Sequence, residues 1–143
     1  MCCGNGRCVS KYAPYFQNVG LTDNNPYFIR AAENICKDLD LKTVFISEVN
    51  LSVLLFPKKI KWDLILCNFA LLNLNHEDLA HFINKSKDAL KIGGHIVIKE
   101  TFARKTDEKY GENLDMFGGI VYRTVSTIKS LFDKEWSHVI TRT

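Results

Sequence analysis

Near the amino end, Cys3-Gly4-Asn5-Gly6-Arg7 sets two glycines around a single residue, and an acid, Asp23, follows seventeen residues after Gly6. Glycine lets a backbone turn tightly and approach a ligand where a Cβ would intrude. An acid about 20 residues on, at the end of the next strand, is placed to accept hydrogen bonds from a ribose. The pair points to a nucleoside-containing cofactor. The plainer readings are an ordinary turn for the glycines and a helix-capping carboxylate for Asp23. In nucleotide-binding folds such a loop follows a buried strand, and here only Met1 and Cys2 precede it. The expectation is a cofactor-binding fold without its first strand.

The elements that position these residues are legible in the pattern. Residues 7–16 suit a short helix that stops near Pro14. Residues 18–22 read as a strand that ends at Asp23. Asn24 or Asn25 can cap the next helix, with Pro26 in its first turn. That helix is expected to run to about Leu39 with Tyr27, Ala31 and Ile35 on its apolar side, and Phe28 and Ala32 alongside. Residues 43–47 are β-branched and aromatic, hence a strand. Residues 51–56 fit a helical turn or a loop. The run 62–69, WDLILCNF, suits a strand covered on both faces in a parallel sheet.

Asn75 can cap a further helix, and Glu77 and Asp78 suit the positive end of its dipole. Leu79, Phe82, Ile83, Ala89 and Leu90 form its stripe, and Gly93-Gly94 is expected to stop it. HIVIK, residues 95–99, is expected as another buried strand. A polar loop over 104–113, a last helix over 120–132 and the start of a strand over 137–140 complete the order. Alternation of strands and helices means an α/β domain with a mostly parallel sheet, whose ligands bind at the carboxyl ends of the strands. Those ends are residues 4–7, Asp23, 48–50, 68–73 and 100–101.

The bulk properties set limits. The 143 residues suit one domain, 1–143, with 46% hydrophobic and 24% charged residues, an ordinary globular mixture. A net charge of +3, from 19 basic and 16 acidic residues, carries no signal for nucleic acid. No apolar run approaches the roughly 20 residues of a membrane span, and no signal peptide is evident. Five scattered cysteines read as reduced thiols, which suits the cytoplasm or nucleus. Cys2, Cys3 and Cys8 lack a C-x-x-C pair and a nearby histidine, so no metal site is assigned.

Several motifs together resemble the seven-strand S-adenosylmethionine-dependent methyltransferases. Gly4-Asn5-Gly6 is similar to the end of their G-x-G-x-G loop, and Asp23 falls at their ribose-binding acid. Trp62-Asp63-Leu64-Ile65 resembles their fourth strand, and Lys91-Ile92-Gly93-Gly94 the turn before their fifth. Among these enzymes, residues 62–101 are most similar to the protein α-N-terminal methyltransferases, which act on X-Pro-Lys/Arg sequences. Residues 96–100 resemble their "IVIKDN", and Leu114-Asp115 with Val121-Tyr122-Arg123 bracket a stretch similar to their "LDxxDSSVxR". The resemblance implies a class I, Rossmann-like α/β sheet with helices on both faces, here lacking its first and last strands. It implies S-adenosyl-L-methionine as cofactor, held by Gly4, Gly6, Arg7, Asp23, Asn50 and Asn68. It places Asn73, Thr101 and Asp115 at catalytic positions and Phe69, Asn73 and Arg123 on the substrate side.

Departures from the family pattern fall on the acceptor side. Asn73 stands at the family's histidine, Thr101 at its asparagine, Gly118 at an aspartate and Phe69 at a tryptophan. Asn73 can hold a hydrogen bond but cannot act as a base near neutral pH. Two further readings therefore stand beside an N-terminal methyltransferase. One is a catalytically dead, methyltransferase-like scaffold completed by a strand from a partner or a second copy. The other is a methyltransferase with a different acceptor.

Overall fold

The computed structural model describes residues 3–102, 120–132 and Trp136. Helix α1, Arg7–Tyr12, passes directly into a 3₁₀ turn, Ala13–Tyr15, where Pro14 is tolerated in the first positions. Strand β1, Asn18–Asp23, leads to helix α2, Pro26–Asp38. Asn25 caps α2 by accepting the Tyr27 N–H at 2.9 Å. Strand β2, Lys42–Glu48, is followed by a 3₁₀ turn at Leu51–Val53, which resolves the ambiguous segment. Strand β3, Trp62–Asn68, precedes a 3₁₀ turn at Leu71–Asn73 and helix α3, His76–Ala89. Asn75 caps α3 through the Asp78 N–H at 2.7 Å. Strand β4 is Leu90–Lys99 and helix α4 is Val125–Ser130.

Three expectations need correction. Helix α3 stops at Ala89 without a left-handed cap, because Leu90 is already extended and paired with Trp62. The register then jumps to Leu64 opposite His95, so Gly93, at φ 78°, turns a bulge in β4 instead of ending a helix. The buried face of α2 is Ile29, Ala32 and Cys36, and Tyr27 is exposed. The last helix begins five residues later than expected, where the Thr124 side chain accepts the Thr127 N–H at 3.2 Å. The stretches 104–113 and 137–140 lie outside the described residues.

Where a sheet of the seven-strand type was expected, the described residues hold four strands in two parallel pairs, β1 with β2 and β3 with β4. One apolar cluster joins α1 and α2 to one face of β1 through Val9, Val19, Leu21, Ile29, Ala32 and Cys36. A larger one packs Leu79, Phe82 and Ile83 of α3 on Ile65 and Cys67 of β3. Between the pairs lies a cleft of about 140 Å³, lined by Val19 and Leu21 of β1, Leu64 and Leu66 of β3, and Val9 and Ala13 beside α1. Trp62 reaches over one end of it. A Cβ added to Gly20 would lie 2.6 Å from the indole Cη2, so only glycine there admits the ring. The ring also lies 6.4 Å from that of Phe45 on β2.

Candidate functional site

The glycine turn is stitched to the end of β1. The Cys3 N–H donates to the Thr22 carbonyl at 2.9 Å. The buried Asp23 carboxylate accepts the Gly4 N–H at 3.0 Å on one oxygen and the Asn25 N–H at 3.1 Å on the other. Its carbonyl accepts the Val49 N–H at 3.0 Å, which draws in the end of β2. Gly4 and Gly6 sit at φ 51° and 83°, where side chains are disfavoured. A Cβ on Gly6 would meet Ile35 Cδ1 at 2.4 Å, so this glycine seats the turn on α2. A Cβ on Gly4 would have open space around it, so that side of the turn can be approached by a ligand. Each Asp23 oxygen uses one acceptor site on the backbone and keeps another, which leaves capacity for a diol. Burial, with the Asp23 charge adding to it, pushes the Cys3 thiol up to about 11. It is a neutral packing group, not a nucleophile.

The second half of the site is the turn after β3. Phe69 takes a left-handed conformation, φ 52°, and its N–H donates to the Lys99 carbonyl at 2.8 Å. The Lys99 ammonium sits 5.4 Å over the exposed Phe69 ring, a cation–π contact. Glu100 accepts the N–H groups of Leu71 and Leu72 at 2.7 and 3.2 Å on one oxygen. Burial pushes its carboxyl above the ordinary range, opposed by these donors. Arg123 is 5% exposed. It donates to the carbonyls of Leu71 at 3.1 Å, Val121 at 3.4 Å, and Leu74. The Val121 N–H returns to the Leu72 carbonyl at 2.7 Å. Residues 69–74 are thus held from two directions by groups remote in sequence.

The expected site residues divide accordingly. Gly4, Gly6, Arg7 and Asp23 come together, with Arg7 exposed at the start of α1. Asn68, Phe69 and Asn73 lie on or beside the held turn, Asn73 exposed within its 3₁₀ segment. Thr101 is exposed just beyond β4. Asn50 caps the turn after β2 by accepting the Ser52 N–H at 3.2 Å. Arg123 is engaged with main-chain carbonyls, which makes it a positioning residue for residues 71–74. Asp115 and Gly118 lie outside the described residues. The function of Glu100 as a clamp escaped the sequence reading. Its one visible signal was an acid directly after an apolar strand.

The family model of AdoMet-dependent proline di-methyltransferases matches residues 1–143. The chain belongs to this family. It is 31% identical over 130 residues to the N-terminal Xaa-Pro-Lys N-methyltransferase 2 of Danio rerio, a match covering 85% of this chain and 46% of that protein. The chain thus spans about half the length of the curated relative it matches. Among solved structures, a SAM-dependent methyltransferase from Leishmania major superposes with a TM-score of 0.74 at 17% identity, over 91% of this chain and 50% of that one. One from Clostridium acetobutylicum ATCC 824 gives 0.64 at 25% identity, over 77% and 44%. These likenesses assign the class I methyltransferase α/β fold.

Proposed function

We propose that the chain uses S-adenosyl-L-methionine to methylate the α-amine of proteins that begin Xaa-Pro-Lys or Xaa-Pro-Arg. The observation that carries this reading is the whole-length family match, joined to a turn in which Gly4 is open and Asp23 keeps free acceptor capacity. Asp23 would receive the ribose hydroxyls, and Gly4 would let the cofactor lie close to the backbone of a turn that Gly6 seats on α2. Arg7 would pair with the cofactor carboxylate, and Asn50 and Asn68 would flank the adenine and reacting sides. When bound, the cofactor supplies an electrophilic methyl group on a sulfonium.

The chain's own contribution is placement, which can supply a large share of such a barrier. Phe69 with Lys99 over its ring, Asn73, Thr101 and Asp115 would line the acceptor side, and Arg123 and Glu100 hold the turn that carries the first of them. The amine must be neutral to attack. Asn73 can orient it through its amide oxygen but cannot take its proton, so the amine sheds the proton before entering or passes it to a carboxylate such as Asp115. No helix among the described residues is long and apolar enough to cross a membrane. The scattered spacing of the five cysteines suits a protein of the cytoplasm or nucleus.

The test is mass spectrometry of an Ala-Pro-Lys peptide incubated with the chain and cofactor. Methyl groups should appear on the free peptide and not on its N-acetylated form, and Asp23→Ala should abolish them. A folded sample that binds the cofactor yet methylates no such peptide would overturn the acceptor assignment. The open cleft between β1 and β3 favours one second reading, a scaffold acting through a strand-completing partner or a homodimer.

A further inference from the structure

The net charge of +3 is unevenly spread over the chain. Residues 57–63, PKKIKWD, and residues 85–91, KSKDALK, hold six lysines and two acids between them. Their excess of four positive charges exceeds that of the whole molecule, so the remainder is close to neutral. The fold brings both segments to the amino ends of β3 and β4, opposite the carboxyl ends where Phe69 and Glu100 lie.

Three contacts fix this arrangement. The Lys61 ammonium donates to the Asp88 carbonyl in the last turn of α3, which sets a cation at the negative end of the helix. The Lys91 ammonium donates to both Asp63 oxygens, at 2.8 and 2.9 Å. The Lys85 ammonium donates to the Leu54 carbonyl at 3.3 Å, which ties the chain leading into residues 57–61 to α3. Lys58 and Lys59 stand exposed on a turn that the Ile60 N–H closes on the Pro57 carbonyl at 3.1 Å. Asp63 is matched by Lys91, and neither Lys58 nor Lys59 has a side-chain partner among the described residues.

Apolar side chains project from the same region. Ile92 is fully exposed beside Gly93, which turns the bulge in β4, and a Cβ added to Gly93 would meet nothing within 4 Å. Leu55, next to the carbonyl that Lys85 holds, is 72% exposed. A protruding aliphatic tip can enter the boundary between lipid headgroups and acyl chains while cations beside it meet the headgroups. The six basic residues are all lysines, compact charges that suit a diffuse anionic surface. Nucleic-acid surfaces draw on the arginine fork and on aromatic stacking. The one aromatic residue of these segments, Trp62, lies against Gly20 instead.

We propose that this end of the molecule docks on an anionic lipid surface, with Ile92 entering the headgroup region and Lys58, Lys59, Lys61 and Lys91 set against the headgroups. Clusters of about four to eight such cations are attracted to an anionic leaflet. The contact is reversible and needs no membrane-spanning helix. It lies away from the carboxyl ends of the strands, so the inference stands independently of methyl transfer.

The test is co-sedimentation of the full chain with large vesicles of phosphatidylcholine containing about 30% phosphatidylserine, beside vesicles of phosphatidylcholine alone. At about 0.1 M salt the chain should pellet with the anionic vesicles and stay in solution with the neutral ones. Binding should weaken by about tenfold or more at about 0.5 M salt. Lys58→Glu with Lys59→Glu should weaken it by about tenfold or more, and Ile92→Ser by about fivefold, each with an unchanged far-UV spectrum. The proposal is overturned if about 1 mM anionic lipid pellets none of the parent chain, or pellets the lysine variant equally. Unchanged binding by Ile92→Ser would remove the insertion and overturn it as well. So would release of the chain from the vesicles by a DNA duplex at equal phosphate concentration, which would make nucleic acid the partner.

Discussion

Replacing Arg123 by methionine removes the donors that hold the turn after β3 while keeping much of the side-chain volume. Of its bonds to described residues, those to the carbonyls of Leu71 and Leu74 are the stronger two, and the one to Val121 at 3.4 Å is weaker. Hydrogen bonds from a charged group contribute about 1.5–3 kcal/mol each, so the two are together worth about 3–6 kcal/mol. Removing a buried guanidinium also removes its desolvation cost, which brings the expected net loss to about 2–4 kcal/mol. At 5% exposure, water does not screen these bonds. With a urea slope of about 2 kcal/mol per M, the unfolding midpoint should drop by roughly 1–2 M. Arg123→Lys should lose less, since an ammonium keeps the charge but not the fork that reaches two carbonyls. Amides of residues 71–74 should exchange faster in both variants. A midpoint within about 0.3 M of the parent for Arg123→Met would refute the clamp and mean that the carbonyls rehydrate freely.

Other outcomes follow from the same geometry. Glu100 has its folded-state carboxyl above the ordinary 4.5. The native chain holds that proton more tightly than the unfolded one, so stability should fall as pH rises from about 4.5 through the native value, and Glu100→Gln should flatten the fall in urea titrations; an unchanged slope would count against it. Gly6→Ala should destabilise by about 1 kcal/mol or more, from the positive φ and from the contact with Ile35, visible as a lowered thermal midpoint. Asn75→Ala should cost about 1 kcal/mol by loss of the bond to the Asp78 N–H, read the same way.

Local signals carried far in this chain. Asn25 and Asn75 cap helices where a polar residue precedes an amphipathic run, and the apolar stretch at 62–68 is a strand because nothing in it interrupts one. The α2 face was misread in part: Ala32 is buried and Ile35 packs on the same cluster, but Tyr27 and Phe28 are exposed, and Ile29 and Cys36 take the inner positions at the same helical spacing. Only the packing against β1 chooses among such positions. Gly93-Gly94 resembles a helix stop, yet pairing of Leu90 with Trp62 captures the chain before it gets there. The site divided the same way. Gly4 and Asp23 were legible because the glycine spacing and an acid at the end of the next strand are local signals, separated by one short helix, a 3₁₀ turn and that strand. Glu100 meets Leu72 across 28 residues and Arg123 meets Leu71 across 52, and no local pattern records such contacts.

Calorimetric titration of the purified chain with S-adenosylhomocysteine tests the central claim most directly. Saturable binding in the micromolar range, weakened about tenfold or more in Asp23→Asn by loss of an acceptor oxygen, is the predicted result. A chain with a folded far-UV spectrum that takes up no heat-detectable ligand at millimolar concentration would contradict it.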